Sequence, residues 1–184
     1  TPGPGSSVYS RAMVRAGTGL SGAAGAGAAA AEAMAAARGA LAGEAPSFVL
    51  LLATPPLAGS LDDALREAER AAEGAPVAGA VVDGLSAGGL EIESAPGVAV
   101  LAASGVDAHA VAMEDLARAS RDPAEWRHAL GREPSAEDLL CVLFDPAGGD
   151  LRALAAGVCD AAGPALAIGA GVADAGDGAA RVFA

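Results

Sequence analysis

The chain has 184 residues, 53% hydrophobic but only 3% aromatic, so any core must be built mainly from Ala, Val and Leu. Its net charge of −12 excludes nucleic acid and anionic membrane surfaces as favourable partners, because their phosphates repel it. No apolar run reaches the ~20 residues of a membrane span, and no secretory signal is recognisable. We therefore expect a cytoplasmic protein with a flexible leader at 1–7 and a single domain at 8–184.

Hydrophobic periodicity predicts strands that alternate with helices along most of the chain. A hairpin is expected from strands at 97–103 and 106–113 around Ser104-Gly105, because a two-residue turn with glycine suits that connection. Ser60 is expected to cap its helix, with Asp63 at the capping-box position, and Asp122 to cap a short helix that carries Trp126. The other predicted strands are 8–15, 48–53, 76–82, 138–144 and 164–170, and the other predicted helices are 22–42, 60–73 and 150–162.

An internal repeat with an ungapped offset of 90 residues takes Pro56 to Pro146 and Gly79 to Gly169. Each copy reads as a buried strand, a proline, a glycine, a helix, a strand and a glycine. This order predicts two β-α-β units, each with parallel strands and a right-handed crossover. The expected fold class is α/β, with a mixed sheet built from both units, a β-hairpin insertion, and helices packed on the sheet.

The stretch Gly84-Leu85-Ser86-Ala87-Gly88 fits the G-x-S-x-G spelling of a nucleophile elbow, which presents a catalytic serine before a helix. Residues 90–93 alternate apolar and acidic side chains instead, which is typical of a strand. His109 and His128 are the only histidines that could complete a triad. We interpret Ser86 as a turn serine and expect no enzyme, with a serine hydrolase using Ser86 as the less favoured alternative.

Gly17-Thr18-Gly19-Leu20-Ser21-Gly22 fits the G-x-G-x-x-G spelling of a dinucleotide site. The acidic residue that such a site needs at the end of the next strand is missing, because that strand ends in Ala53-Thr54-Pro55. We interpret the stretch as a turn that leads into a helix, and we expect no cofactor.

Metal ligands and disulfides are also not expected. The acidic pairs have no metal-ligand spacing, and the loop at 174–178 resembles a calcium loop only loosely. Cys141 and Cys159 fall in different predicted elements and are expected to be buried, reduced thiols.

Several segments of the chain, in the order in which they occur, resemble the N-terminal FIST domain, which is named for F-box and intracellular signal transduction proteins. The similar segments are SFVLLLATPP, GAPVAGAVVDG, GGLEIESAPGVAVLAAS, DLLCVLFDP and ALAIGAGVADAG, and ARVFA would begin the last strand. The family's Cys-Ser pair after Gly79 is replaced by Ala80-Val81, and its second Gly-Leu-Ala-Ser by Gly171-Val172-Ala173-Asp174. The family's C-terminal FIST domain has no counterpart in the chain.

The resemblance implies a sensory domain in signal transduction that binds a small ligand, such as an amino acid or a derivative, and works with a C-terminal FIST domain or a signalling partner. The alternative is a protein-interaction or scaffold domain without a small-molecule pocket. Ligands of open α/β sheets collect at the carboxyl ends of strands, so we expect the site in the loops 79–89 and 169–178. The candidate ligand-binding residues are Gly79, Asp83, Gly84, Ser86, Gly169 and Asp174.

Overall fold

The computed structural model describes residues 13–112, 122–146, 150–172 and 182–183. Four helices and nine strands lie in this part of the chain. The helices are α1 (Ala26–Gly39), α2 (Leu61–Ala72), α3 (Pro123–Leu130) and α4 (Leu151–Ala162). The strands are β1 (Arg15–Ser21), β2 (Phe48–Ala53), β3 (Val77–Val81), β4 (Gly84–Ala87), β5 (Leu90–Glu93), β6 (Val98–Ser104), β7 (Leu139–Phe144), β8 (Leu166–Gly171) and β9 (Val182–Phe183).

Five strands form a mixed sheet in the order β1-β6-β2-β3-β9, which confirms the predicted α/β class. β2 and β3 are parallel, and the other three pairings are antiparallel. Two further pairs, antiparallel β4-β5 and parallel β7-β8, each form a two-stranded sheet. No helix of the described residues is long and apolar enough to cross a membrane.

Both β-α-β units are present, as the repeat predicts: β2-α2-β3 and β7-α4-β8 each hold a parallel strand pair. The helices coincide at the offset of 90 residues, but the first strands do not. Leu51 lies opposite Gly79, whereas Val142, not Cys141, lies opposite Gly169. The first strand is therefore offset by 91 residues, and this single step decides which side chains face the helix. The second unit also keeps its own sheet, instead of joining one sheet with the first.

The main core lies between α1, α2 and one face of the five-stranded sheet. Alternate residues of β2 face it, because successive side chains of a strand point to opposite faces. Val49, Leu51 and Ala53 are all fully buried there. The helices contribute small side chains at helical spacing, mostly alanines of α1 and α2 that are almost completely buried. Small side chains let helix and sheet approach closely, as the composition indicates.

β1 occupies the stretch that fits the G-x-G-x-x-G spelling, which is a correction. The strand predicted at 8–15 contributes only Arg15, while residues 8–12 lie outside the described residues. Gly17 and Gly19 of β1 face α1 at very close range. A Cβ added at Gly17 would lie 2.0 Å from the carbonyl oxygen of Ala37, and one at Gly19 would lie 2.0 Å from that of Ala33. The glycines are thus required for strand-to-helix packing.

The hairpin predicted around Ser104-Gly105 is wrong. β6 pairs with β1 on one side and β2 on the other, so no edge remains for a third strand, and residues 105–112 form no regular element. Residue 113, the end of the predicted second strand, lies outside the described residues. The hairpin of the molecule is β4-β5, and Gly88 and Gly89 form its turn with φ of 60° and 80°.

Of the two predicted helix caps, the one at Asp122 is present and the one at Ser60 is not. The Asp122 carboxylate accepts a hydrogen bond from Ala124 N at 2.9 Å, as predicted, and Asp150 caps α4 in the same way. Ser60 makes no cap bond to α2. A short 3₁₀ helix at Pro55–Ser60 precedes it, and the Ser60 hydroxyl donates back to Leu57 O at 3.3 Å. The prediction for Ser60 and Asp63 is therefore wrong, and Asp63 forms an ion pair with Arg66 instead.

The second unit has a small core of its own. It consists of Trp126 from α3, Val142 from β7, and Leu154, Val158 and Ala161 from α4. In the part of the chain that the structure describes, this core covers one face of the β7-β8 sheet. The other face, called the outer face here, carries Leu139, Cys141 and Leu143 of β7 and Leu166, Ile168 and Ala170 of β8.

Candidate functional site

The carboxyl edge of the five-stranded sheet is where a ligand of an open α/β sheet is expected. β1, β2 and β3 all run toward this edge, because β1 and β2 are each antiparallel to β6 and β3 is parallel to β2. They end there at Ser21, Ala53 and Val81. The polypeptide after β3 does not leave the edge open, since it continues directly into the β4-β5 hairpin.

The hairpin packs its apolar side against this edge. Leu85 is 3% exposed. A Cβ added at Gly97, just before β6, would lie 2.9 Å from Ile92 Cδ1 and 3.3 Å from Leu85 Cδ1, so both side chains contact that glycine. Ile92 also reaches Gly22 at the end of β1. Apolar side chains therefore fill the position at which the strand ends would have met a ligand.

Thr54 anchors the chain beneath the hairpin, and sequence reasoning missed it. Its side chain is completely buried, and its hydroxyl donates to Ala95 O at 2.7 Å. Its backbone N–H donates to Gly97 O at 3.0 Å. The sequence could have indicated this role, because Thr54 is a lone hydroxyl residue between a predicted buried strand and two prolines. A buried hydroxyl needs a partner, and here it fixes the loop between β5 and β6.

The opposite side of the hairpin is polar and exposed. Ser86 lies directly opposite Glu91, and Gly84 opposite Glu93, so the two carboxylates and the hydroxyl share one face. Asp83, also exposed, immediately precedes β4. We call Ser86, Glu91 and Glu93 the acidic hairpin face. Neither of its two carboxylates forms an ion pair with the described residues, and nor does that of Asp83.

The predicted site residues are only partly brought together. Asp83, Gly84 and Ser86 lie together on the hairpin. Gly79 is a correction, because it lies buried within β3 and not in a loop; a Cβ there would lie 1.8 Å from Leu51 O and 2.6 Å from Phe183 Cζ. Gly169 lies in β8, which belongs to the other parallel sheet. Asp174 lies outside the described residues.

The surroundings of Ser86 differ from a nucleophile elbow. Ser86 lies inside β4, not in a turn, and a glycine turn and β5 follow it where an elbow requires a helix. His109 lies in the irregular segment after β6, and His128 lies in α3. Neither histidine is hydrogen bonded to Ser86 in the part of the chain that the structure describes.

Among the described residues, no group of three or more His, Cys, Asp or Glu side chains lies close enough together to hold a metal ion. Cys141 and Cys159 are both free thiols, but both are exposed, so the prediction that they are buried is wrong. The apolar surroundings of Cys141 raise its thiol pKa, because desolvation disfavours the thiolate.

A cleft of about 380 Å³ lies between the C-terminal halves of α1 and α2. Met34, Arg38, Arg70 and Glu73 are among its lining residues. Its central cation is already used: Arg38 donates to Ala71 O at 2.9 Å and to Glu73 Oε1 at 2.6 Å. The cleft lies beside the helix ends that lead to the starts of β2 and β3, away from the hairpin, so it does not join the predicted loops.

Two carboxylates elsewhere are held by specific partners. Ser104 Oγ donates to Glu44 at 2.6 Å and Arg15 pairs with it at 2.9 Å; the serine hydrogen bond and then the arginine lower the pKa of Glu44. Arg132 donates to both oxygens of Asp138 at 2.7 Å, and this contact, with help from Ser135, holds the pKa of Asp138 well below its usual range. Both groups fasten the ends of strands.

No protein-family model, no curated protein and no solved structure matches this chain.

Proposed function

We propose that the chain is a non-catalytic sensory domain that binds a small ligand carrying an amino group. The observation that carries this proposal is the acidic hairpin face. Glu91 and Glu93 are two residues apart on one strand and one face, so their side chains lie within reach of a common cation. Asp83, exposed just before β4, is a further carboxylate near the start of the hairpin, outside the acidic hairpin face. A cationic group bound there would relieve their mutual repulsion, and the Ser86 hydroxyl could accept a further hydrogen bond from it.

The resemblance to the N-terminal FIST domain supports the same proposal. The similar segments end β3, form the hairpin and continue into β6, so they cover the region in which the carboxylates lie. The proposal includes signal transduction as the wider role, and a C-terminal FIST domain or a signalling protein as the partner that receives the signal. The cytoplasm is the proposed location.

Thermal unfolding in the presence of amino acids and simple primary amines tests the ligand class. A ligand bound only by the folded state raises stability by ~2.7 kcal/mol at a hundred times its Kd. We expect stabilisation by at least one free amine and none by its N-acetylated form, because acetylation removes the charge. Failure of every amine to stabilise the protein would contradict the proposal.

Matched charge-neutralising variants locate the site. Glu91→Gln removes one carboxylate of the acidic hairpin face and is expected to abolish most of the stabilisation by the amine. Glu69→Gln is the control, since Glu69 is an exposed acid of α2, outside the hairpin, and has no ion pair with the described residues. Equal loss in both variants would show that only the overall negative charge matters.

A protein-interaction domain is the second candidate function, and the outer face of the β7-β8 sheet favours it. Leu139 is 60% exposed, Leu166 65% and Ile168 49%, although large apolar side chains on one sheet face are normally covered. A serine hydrolase is disfavoured by the absence of a helix after Ser86. Accordingly, a fluorophosphonate probe is expected to leave Ser86 unlabelled.

A further inference from the structure

The backbone of β7 leaves one edge of its sheet unpaired among the described residues. Leu166 N donates to Asp138 O at 3.2 Å and Val172 N to Phe144 O at 2.9 Å, at the two ends of the β7-β8 ladder. Backbone groups of a strand point alternately to its two sides. The residues between, Leu139, Cys141 and Leu143, therefore direct their N–H and C=O groups to the edge away from β8. No described strand pairs with that edge.

The internal repeat shows how the equivalent edge is filled in the first unit. There β6 lies antiparallel along β2, with Leu50 opposite Leu101 and Leu52 opposite Ala99. Leu50 and Leu52 correspond to Cys141 and Leu143 at the offset of 91 residues. With a strand on each side of β2, the side chains of Leu50 and Leu52 are half-buried. With one described neighbouring strand, Cys141 and Leu139 are exposed, whereas Leu143 is half-buried like Leu52.

β7 also lacks the usual protection of an edge strand. Natural edge strands carry charges, prolines or bulges that prevent pairing with another chain. The sequence of β7 is LLCVLF, with no charge and no proline. Two carboxylates, Glu137 and Asp138, stand just before the strand and not within it, and Asp138 is held in a two-oxygen ion pair by Arg132. A two-stranded sheet is in addition only marginally stable by itself.

We propose that the edge of β7 that no described strand occupies pairs antiparallel with β7 of a second copy of this chain. A strand whose free donors and acceptors lie on alternate residues is complementary to itself under a two-fold axis, and such an interface closes at two copies. The three outward-bonding residues meet each other when Leu139 lies opposite Leu143 of the second copy and Cys141 lies opposite its own equivalent. The result is a four-stranded sheet in the order β8-β7-β7-β8. This inference does not rest on the proposed function.

Sedimentation across the micromolar range tests the dimer with three variants of the full chain. Cys141→Pro removes one outward N–H, and Leu143→Lys places a charge on the edge strand; each is expected to weaken dimerisation at least ~10-fold, equivalent to ~1.4 kcal/mol. Ile168→Lys is the matched control, because Ile168 lies on the same outer face but in β8. It is expected to remain dimeric. Far-UV circular dichroism verifies that each variant is folded.

The outcomes are distinct. A monomer at all concentrations overturns the proposal, as does a dimer that Ile168→Lys breaks and both β7 variants keep, since that dimer would pack through the outer face. The expected dimer also strengthens with added salt, because the copies carry a net charge of −12 each and screening weakens their repulsion. A dimer that salt dissociates would be ionic and would overturn it as well.

Cross-linking with a short bis-maleimide tests the proposed register of the two β7 strands. Opposite residues of a hydrogen-bonded antiparallel pair have Cα atoms about 5.5 Å apart, so the two Cys141 thiols would be within reach of one linker. Covalent dimer is expected from Cys159→Ser, which keeps Cys141, and is expected to disappear in Cys141→Ser. Cross-linking through Cys159 alone would contradict the proposed register.

Discussion

The two β-α-β units have the same order of elements but very different surroundings. In the first unit β2 is flanked by β3 and β6, and the surrounding core holds 21 buried hydrophobic residues of the described chain. In the second, β7 has β8 as its single described neighbour, and the core holds five. The first strands, FVLLLA and LLCVLF, are equally apolar. Burial is thus decided by the strands added around the unit, not by the unit's own sequence.

Backbones also approach more closely around the first unit than in the second. Beside the first unit, α1 lies so near β1 that no Cβ fits at Gly17 or Gly19. Within the units, a Cβ added at Gly79 would lie 1.8 Å from the carbonyl oxygen of β2, whereas one at the equivalent Gly169 would lie 3.2 Å from that of β7. The region around the first unit therefore gains stability from close backbone approach, whereas the second unit depends on a few large side chains such as Trp126 and Leu154.

The largest expected effect is at Gly19. Gly19→Ala would place a methyl group 2.0 Å from a carbonyl oxygen of α1, and a backbone atom cannot rotate away. We expect a loss of more than ~5 kcal/mol in the free energy of unfolding, which few single substitutions reach. Gly39→Ala is the control, because an added Cβ there meets nothing within 4 Å. Urea denaturation followed by circular dichroism measures both, and similar stabilities would refute the role of close packing.

Sequence periodicity was sufficient for the elements whose signal is local. β2 was predicted with its observed bounds, and α2 and α4 within a residue or two, because an apolar run or a helical repeat of alanine and leucine is visible in one segment. β1 was not, because Gly17 and Gly19 are depleted in strands, and only the position of α1 makes them necessary. β6 was predicted within one residue, at 97–103, but its pairing with β1 and β2 was not, because that pairing depends on residues far away in the chain.

The candidate site was predictable only in part for the same reason. Asp83, Gly84 and Ser86 follow β3, and the alternation in 90–93 indicated the strand that brings Glu91 opposite Ser86. The fact that the hairpin folds its apolar side over the sheet edge follows from contacts of Leu85 and Ile92 with Gly97 and Gly22, which no local pattern encodes. One slip of register would have exchanged the apolar and acidic faces.

The next effect separates the two cores. Trp126 is the single tryptophan and lies in the second core, so its fluorescence reports on that unit, while circular dichroism reports on the whole chain. We expect the fluorescence transition at lower urea than the dichroism transition. Leu154→Ala should move mainly the fluorescence transition, by ~2 kcal/mol, and Leu51→Ala mainly the dichroism transition, by ~4 kcal/mol, because Leu51 is more completely enclosed. Coincident transitions in all three proteins would show that the units unfold as one.

The smallest effect is a pH dependence that again distinguishes the units. Glu44, which joins β1 to β6 beside the first unit, and Asp138, just before β7 of the second, both have lowered pKa values in the folded protein. A carboxyl whose pKa is lower when folded contributes stability above its unfolded pKa of ~4, and this contribution is lost as the pH falls through the folded value. Glu44→Gln should therefore lower the dichroism midpoint at neutral pH, and Asp138→Asn the fluorescence midpoint. Both differences should shrink in acid, whereas Glu69→Gln should show none at either pH.

Because both pairs are exposed, the shifts should be smaller than those of the core variants. A difference that persisted unchanged in acid would mean that the substitution acts through packing and not through charge.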